Sequence, residues 1–482
     1  MAISLLEIHW GVLVILLPLV TAMACFLWPQ RGVSLGLMGA LGSVVCVAGL
    51  AWQVVGQGVQ RYAVGGWGAP LGIDLYADGL SLLMLIVTAV VGLGISLYSS
   101  GYFKQERARH FWPLWMFLWA ALNALFLSAD LFNLYVTLEL MGLAAVALVA
   151  LAGGAEALSG AMRYLLVSLL GSLFFLLGVA LLYHSFGSVD IATLAARMEA
   201  TPAVWAAVGL MTVGLLLKSA LFPLHFWLPP AHASAPAPVS ALLSALVVKA
   251  SFYILLRLWL ELFPLADAAL GQLLGLLGAA AVLWGGLQAL RQTRLKMLVA
   301  YSTVAQIGYL FLAFPLASIL GWQGALYLLL SHAAAKTAMF MAVGNMLYFG
   351  GHDRIADLDR VAQHLPLTLT AFALAGVSIM GLPPSGGFIA KWLLLEAAIR
   401  AEQWWWGVVL ILGGLLSAAW VFKVIGYAFT QSQASHESRA VPVRMEWTAL
   451  VMASMAILLG LFAFGPLALL EIGSPLGGVG VG

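Results

Sequence analysis

Apolar residues run through this chain in long, nearly unbroken stretches. They follow neither the strict alternation of half-buried strands nor the narrow stripe of soluble helices. Fourteen stretches approach the length of about 20 residues that a helix needs to cross a bilayer: 9–28, 33–56, 78–100, 111–128, 131–152, 162–184, 203–222, 239–260, 267–289, 296–315, 322–349, 367–396, 404–429 and 447–470. Charged and polar residues collect in the short intervals between them. The ten-residue alternating segments of a closed barrel are missing. The pattern predicts an all-α polytopic membrane protein with about 14 transmembrane helices and no large soluble domain.

Composition agrees. Hydrophobic residues make up 63% of the 482 and charged residues 8%, against about 25% charged in soluble domains. The net charge of +2 says little, because its distribution matters more. Intervals after odd-numbered helices hold twelve basic residues (among them Arg31, Lys104, Arg107, Arg109, Arg291, Arg294 and Lys296), and even-numbered intervals hold three, Arg61, Arg197 and Arg400. Basic loops stay cytoplasmic, so both termini are expected outside, in a bacterial inner membrane. Glu7 precedes the first run and His9 opens it, which is not the basic start of a cleavable signal peptide. The two cysteines, Cys25 and Cys46, lie in apolar runs without CxxC spacing. That argues against iron–sulfur, zinc or disulfide frameworks. No phosphate loop, nucleophile elbow or nicotinamide fingerprint is present. The expectation is a chain with no metal, no cofactor and no catalytic chemistry of its own. The Arg291–Lys296 cluster reads as a topology determinant, not a nucleic-acid patch.

The informative residues are the charges left inside the runs: Lys218, Lys249, Arg257, Lys336, Lys391 and Lys423. Arg257 and Lys423 lie near helix ends, where snorkelling to the interface is expected. The other four cost on the order of +2.5 to +3.5 kcal/mol each on insertion, and only one carboxylate, Glu139, sits well inside a helix with them. They cannot all be paired. Burial disfavours the charged form of an ionisable group, so such a set suits proton exchange.

Two runs are broken by proline. One follows Lys218, at Pro223, with Pro229, Pro230, Pro236 and Pro238 beyond; the other is Gly381-Leu382-Pro383-Pro384-Ser385-Gly386-Gly387, just before Lys391. These are the seventh and twelfth helices, five apart. An odd repeat length inverts the second copy, and inverted repeats with discontinuous helices at matching positions point to a transporter's ion site. The division this predicts is 1–110 as flanking helices 1–3, 111–262 as a first five-helix repeat, 263–430 as a second, inverted one, and 431–482 as a loop and the last helix.

Within this plan Glu139 and Lys218 fall on helices 5 and 7 of one repeat and are natural partners. Moving the carboxylate relative to the ammonium would change how tightly the lysine holds its proton; the bland alternative is a static pair that fixes helix packing. His332 and Lys336, spaced i, i+4, share a helix face and offer a His–Lys step between the halves; the alternative is a histidine satisfied by a carbonyl. Gln306, in Tyr301–Gln306, could hold water, although packing alone explains it. His225 and His232 flank the break after helix 7, in a predicted cytoplasmic loop, where proton entry and helix capping are equally good readings.

The segments DLFNLYVTLELM, KSALFPLHFWLPPAHASAPAPVSALLSALVVK, LKMLVAYSTVAQIGY, SHAAAKTAMF and GLPPSGGFIAKWLLLEA resemble the antiporter-like subunits shared by respiratory complex I, membrane-bound hydrogenases and Mrp multisubunit Na+/H+ antiporters. DLFNLY and the stretch from Tyr164 to Ala195 look most like the D-type member of Mrp antiporters and hydrogenase relatives. The resemblance covers nearly the whole chain. It implies Glu139–Lys218 as a coupling pair, Lys249 as a central relay, His332 and Lys336 on the connecting helix, and Lys391 as the terminal lysine. It departs at Gln306, where relatives often carry histidine, and in the absence of the long lateral helix of the largest complex I member.

What the resemblance implies is a proton-translocating subunit of a hetero-oligomeric membrane complex, partnered by other membrane subunits, with H+ and either Na+ or K+ as the ions. Cation/H+ antiport of the Mrp kind is the leading expectation. Redox-driven pumping in a complex I-like or hydrogenase assembly, and energising a bicarbonate-uptake partner, stay open. A membrane scaffold that has lost transport is the reading from another class.

Overall fold

A computed structural model describes residues 9–70, 72–263, 268–431 and 439–473; Glu7 and both extreme termini lie outside them. The described residues form a helical bundle. Among the described residues, twelve helices are long and apolar enough to cross a membrane, and they meet twelve of the fourteen predicted runs. Of the other two runs, one is the Gln105–Phe126 helix, whose first turns carry Glu106, Arg107 and Arg109. The other is the predicted twelfth helix, which is split into Pro366–Met380 and Gly386–Arg400.

Helix starts follow local chemistry. Asp78, Asp130, Asp190, Thr201, Ser318 and Ser385 each turn a side-chain oxygen onto a backbone N–H of the first turn, satisfying a donor that the helix leaves free. A small β-hairpin, which the apolar pattern did not announce, fills the second interval. Its strands, β1 (Gln60–Ala63) and β2 (Asp74–Ala77), pair antiparallel from Gln60 opposite Ala77 to Ala63 opposite Asp74.

The helices Ala237–Glu261, Leu295–Phe311 and Ile319–Gly350 are buried almost all round. Trp10–Leu27, Gly32–Gln57 and Trp405–Ala428 expose large apolar side chains such as Phe26, Trp52 and Leu415. A helix apolar on every side belongs either in a core or against lipid, and here the two kinds are sorted into centre and rim. The central three carry Lys249, Lys296, Gln306, His332 and Lys336.

Both broken helices end alike. Pro202–Ser219 stops at Ala220, in the left-handed region (φ 56°), and Pro366–Met380 stops at Gly381 (φ 83°). A short helix, Leu228–Ser234, resumes after the first break, and Gly386–Arg400 after the second. A third irregularity is a wide, π-type turn at Leu243–Val247, directly before Lys249. Such turns release main-chain carbonyls from the regular ladder. Buried in protein, irregular backbone of this kind is tolerated at membrane depth.

Candidate functional site

The sequence placed Glu139 and Lys218 together, and the structure does the same. Lys218 Nζ lies 3.3 Å from Glu139 Oε1 and donates to Ser168 Oγ at 2.9 Å. Ser172 donates to the same Glu139 oxygen. Lys218 is buried, while the Glu139 side chain keeps 19% of its surface exposed. Lys218 occupies the last turn of its half-helix, where free carbonyls and the negative end of the helix dipole favour a cation. Nearby, Trp227 stacks on Tyr164 with ring centres 4.4 Å apart and donates from Nε1 to the Leu217 carbonyl at 2.9 Å, covering one group freed by the break.

The other interior lysines have no carboxylate within ion-pair distance among the described residues. Each is bonded to main-chain carbonyls instead. Lys249 Nζ donates to Ser244 O at 2.6 Å, inside the wide turn. Lys336 Nζ donates to Val299 O at 3.0 Å and to Ser302 Oγ, and lies 5.8 Å from the Trp420 ring centre. Lys391 Nζ donates to Ile379 O at 2.9 Å and Met380 O at 3.1 Å, and sits 4.5 Å from the Tyr309 ring centre. Lys218 precedes its break and is bonded to side chains, Glu139 and Ser168, whereas Lys391 follows its own break and reaches back to the C-terminal carbonyls of the half-helix before it.

The histidines interleave with these lysines. His332 is buried, its Nε2 finds no partner among the described residues, and it lies within electrostatic range of Lys249, Lys336 and Lys391. The carbonyl-satisfied alternative therefore fails at that nitrogen. His232 is fully buried on Leu228–Ser234, with both ring nitrogens unpartnered among the described residues, within range of Lys249, Lys296 and Lys336. That corrects its expected place in a loop, because the short helix after the break carries it back among the lysines. His225 stays in the break, half-buried and stacked on Phe222 at 5.4 Å, apart from the row. Gln306 is buried and donates to Ile379 O at 3.4 Å, the carbonyl that also receives Lys391, while its Oε1 is unpartnered.

Two further residues lie elsewhere than the sequence suggests. Lys296, counted as a loop cation, is buried; it donates to Ala235 O and lies within electrostatic range of Asp353 and Arg294. Its place inside the LKMLVAYSTVAQIGY motif was the available signal. Arg257, expected to snorkel, is buried and bound to Asp78 at 2.8 Å and Glu261 at 2.6 Å. Asp78, in a loop at the start of a distant helix, could not be matched to it by spacing. Lys423 does cap a helix end, donating to Leu290 O and Gln292 O at 2.9 and 2.8 Å.

Comparison with known proteins identifies the family. Residues 128–417 match the transmembrane family described as NADH:quinone oxidoreductase/Mrp antiporter, and residues 67–111 match the N-terminal part of chain 5 of NADH-ubiquinone oxidoreductase (complex I). The N-type subunit of the NADH-quinone oxidoreductase of Desulforudis audaxviator is 35% identical over 94% of this chain and 96% of its own. The D-type subunit of the Na(+)/H(+) antiporter of Alkalihalophilus pseudofirmus is 30% identical over 81% and 80%. A chain of the membrane-bound sulfane sulfur reductase, an archaeal respiratory membrane complex, superposes with a TM-score of 0.91 over 97% of this chain and 98% of its own, at 27% identity. With a family match across more than half of its length, laid over the very helices that hold the lysine row, this chain belongs to the NADH:quinone oxidoreductase/Mrp antiporter family of polytopic, antiporter-like membrane subunits.

Proposed function

We propose that this chain is the proton-translocating, antiporter-like subunit of a multisubunit membrane complex. Protons move along Lys218, Lys249, His332, Lys336 and Lys391, with Glu139 setting the proton affinity of Lys218. The observation that carries this reading is a row of buried ammonium and imidazole groups of which only Lys218 has a carboxylate partner among the described residues. Fixed structural cations would be expected to carry counter-charges. Lys249, Lys336 and Lys391 are held by carbonyls and hydroxyls, which keep an amine in place whether or not it carries its extra proton.

The helices fit two five-membered units around the two breaks, 111–262 and 263–430. Lys296 and His232 extend the row toward the two neighbouring loops that hold Arg294 and Asp353, and they fit a proton-entry branch; His225, in the first break, is less well placed for one. By the count of basic loops, that side is cytoplasmic and both termini are outside. The kinship with a component of an Na(+)/H(+) antiporter supports cation/H+ exchange. The 35% identity to a component of an NADH-quinone oxidoreductase favours a second reading, a pump driven by redox chemistry in partner subunits. Either way the neighbours are other membrane subunits.

The test is transport by the purified complex in proteoliposomes. Lys218→Ala and Glu139→Ala should each abolish coupled proton movement while the complex still assembles. Normal transport in both variants would leave only the scaffold reading.

A further inference from the structure

Lys249, Tyr253, Arg257 and Glu261 are spaced four apart on one helix and so line one face of it. Lys249 belongs to the buried row. Glu261, at the helix end, keeps 24% of its side chain exposed. Between them the polar groups are saturated. The Tyr253 hydroxyl donates to Phe126 O at 2.8 Å and accepts from Arg257 Nε at 3.0 Å. The remaining guanidinium donors go to Asp78 Oδ1 and Oδ2 at 2.8 and 3.0 Å, Ser81 Oγ at 3.0 Å and Glu261 Oε1 at 2.6 Å. Tyr76 and Tyr253 cover its faces with ring centres at 5.6 and 5.2 Å. Beyond Arg257 lies a cavity of about 100 Å³, lined by Arg61, Tyr76, Ser128, Asp190 and Glu261 among others. Arg61 bridges Asp74 and Asp190 at its rim, at 2.7 and 3.1 Å.

We propose that Arg257 is the seal of the proton row toward this cavity: a permanent positive charge, pinned by Asp78 and Glu261, that keeps a proton on Lys249 from escaping to the Arg61 face. Three properties fit it for that task. A guanidinium does not release its proton in proteins, so Arg257 can block a proton and cannot relay one. It stands two helical turns from Lys249, about 12 Å along the axis, and its five bonds are made to the very groups, Asp78, Ser81, Tyr253 and Glu261, that a proton would have to use next. An arginine in a pore wall is a recognised barrier to protons and cations. Its carboxylates come from two other places, the Gly79–Tyr102 helix start and its own helix end, so the position is fixed from both sides.

The proposal rests on the row being a proton path, but its test needs no turnover. The intact complex is placed in proteoliposomes with a pH dye inside, and a potassium diffusion potential is imposed with valinomycin. Passive proton entry should rise at least tenfold in Arg257→Gln, and should also rise in Arg257→Lys, whose ammonium, unlike a guanidinium, can release its proton and pass it on. The double variant Arg257→Gln/Asp78→Asn removes both buried charges together and leaves no uncompensated carboxylate. It should leak as the single variant does, and it carries the test where the single variant does not assemble. Adding Lys249→Ala should close the leak. A proton-tight double variant, or a leak that persists without Lys249, overturns the proposal. A wild-type complex that fails to drive protons at all would instead overturn the transport reading and leave the leak measurement standing.

Discussion

Lys218 and Glu139 face each other at 3.3 Å, and each is held by a different serine of one neighbouring helix, Ser168 for the ammonium and Ser172 for the carboxylate. The two serines are four residues apart and share a face of Gly154–Phe186. If the ion pair opens, each partner still has a hydrogen bond waiting, so separation need not strand a buried charge. Removing either serine should bias this switch without destroying it. Ser168→Ala and Ser172→Ala are expected to slow coupled transport about fivefold each, the factor carried by ~1 kcal/mol, a typical hydrogen bond. Loss of the ion pair in Glu139→Ala should abolish transport. Initial rates of proton uptake in proteoliposomes, normalised to assembled complex, measure both.

Gln306 and Lys391 share the Ile379 carbonyl, at 3.4 and 2.9 Å. The amide oxygen of Gln306 is buried and unpartnered, a place for the water that the sequence pattern suggests at this residue. Gln306→Leu removes the water's partner and should cut transport about tenfold or more while leaving assembly intact. Gln306→His restores a polar, titratable group and should recover most of the rate. Equal rates in Gln306→Leu and wild type would mean that the amide only packs.

The helical runs, the two breaks and the lysines were legible in the sequence because cost makes them so: a charge or a proline inside an apolar run stands out against its background. Pairing of Glu139 with Lys218 was also legible, since one interior carboxylate leaves few choices. The fate of Arg257 was not. Its partner Asp78 lies 179 positions away, in a loop, and hydropathy carries no information about which loop folds over a helix end. His232 was singled out in the sequence but placed in a loop, for a related reason. Four prolines around it read as a loop, yet Pro229 and Pro230 stand in the first turn of Leu228–Ser234, where a missing N–H is no handicap. The interleaving of His332 and His232 with the lysines came only from the packing of helices far apart in the chain.

Lys296 is buried between the Ala235 carbonyl and the electrostatic reach of Asp353. Arg294, two residues earlier, pairs with Asp353 at 3.0 Å on the loop side. A lysine so placed, within range of His232, fits the first buried step from that surface. Lys296→Met keeps the apolar stem and removes the amine; transport should drop at least tenfold with assembly preserved. Asp353→Asn, at the surface end, should have a smaller effect. If Lys296→Met transported normally, the entry branch through His232 would have to be abandoned.

Gly214 and Gly171 let two helices touch where Lys218 must meet Glu139. A Cβ on Gly214 would stand 2.3 Å from the Gly171 carbonyl oxygen, and one on Gly171 would stand 2.8 Å from the Gly214 oxygen. Both contacts are with backbone, which cannot swing aside as a side chain can. Small residues at such crossings are how membrane helices approach closely. Gly214→Ala should therefore push Pro202–Ser219 off Gly154–Phe186, at a cost of about 1–3 kcal/mol, as for an overpacked core. One turn further on, it should also draw Lys218 away from Ser168 and Glu139. Gly209 is the internal control. It lies on the same helix, and a Cβ there would meet nothing within 4 Å. Gly209→Ala should be neutral, or stabilise by up to ~1 kcal/mol through helix propensity. Thermal melting of the detergent-solubilised complex should thus fall for Gly214→Ala and hold for Gly209→Ala, with transport lost only in the first. Equal melting of the two would mean that the helices part without cost, and that the ion pair does not depend on their closeness.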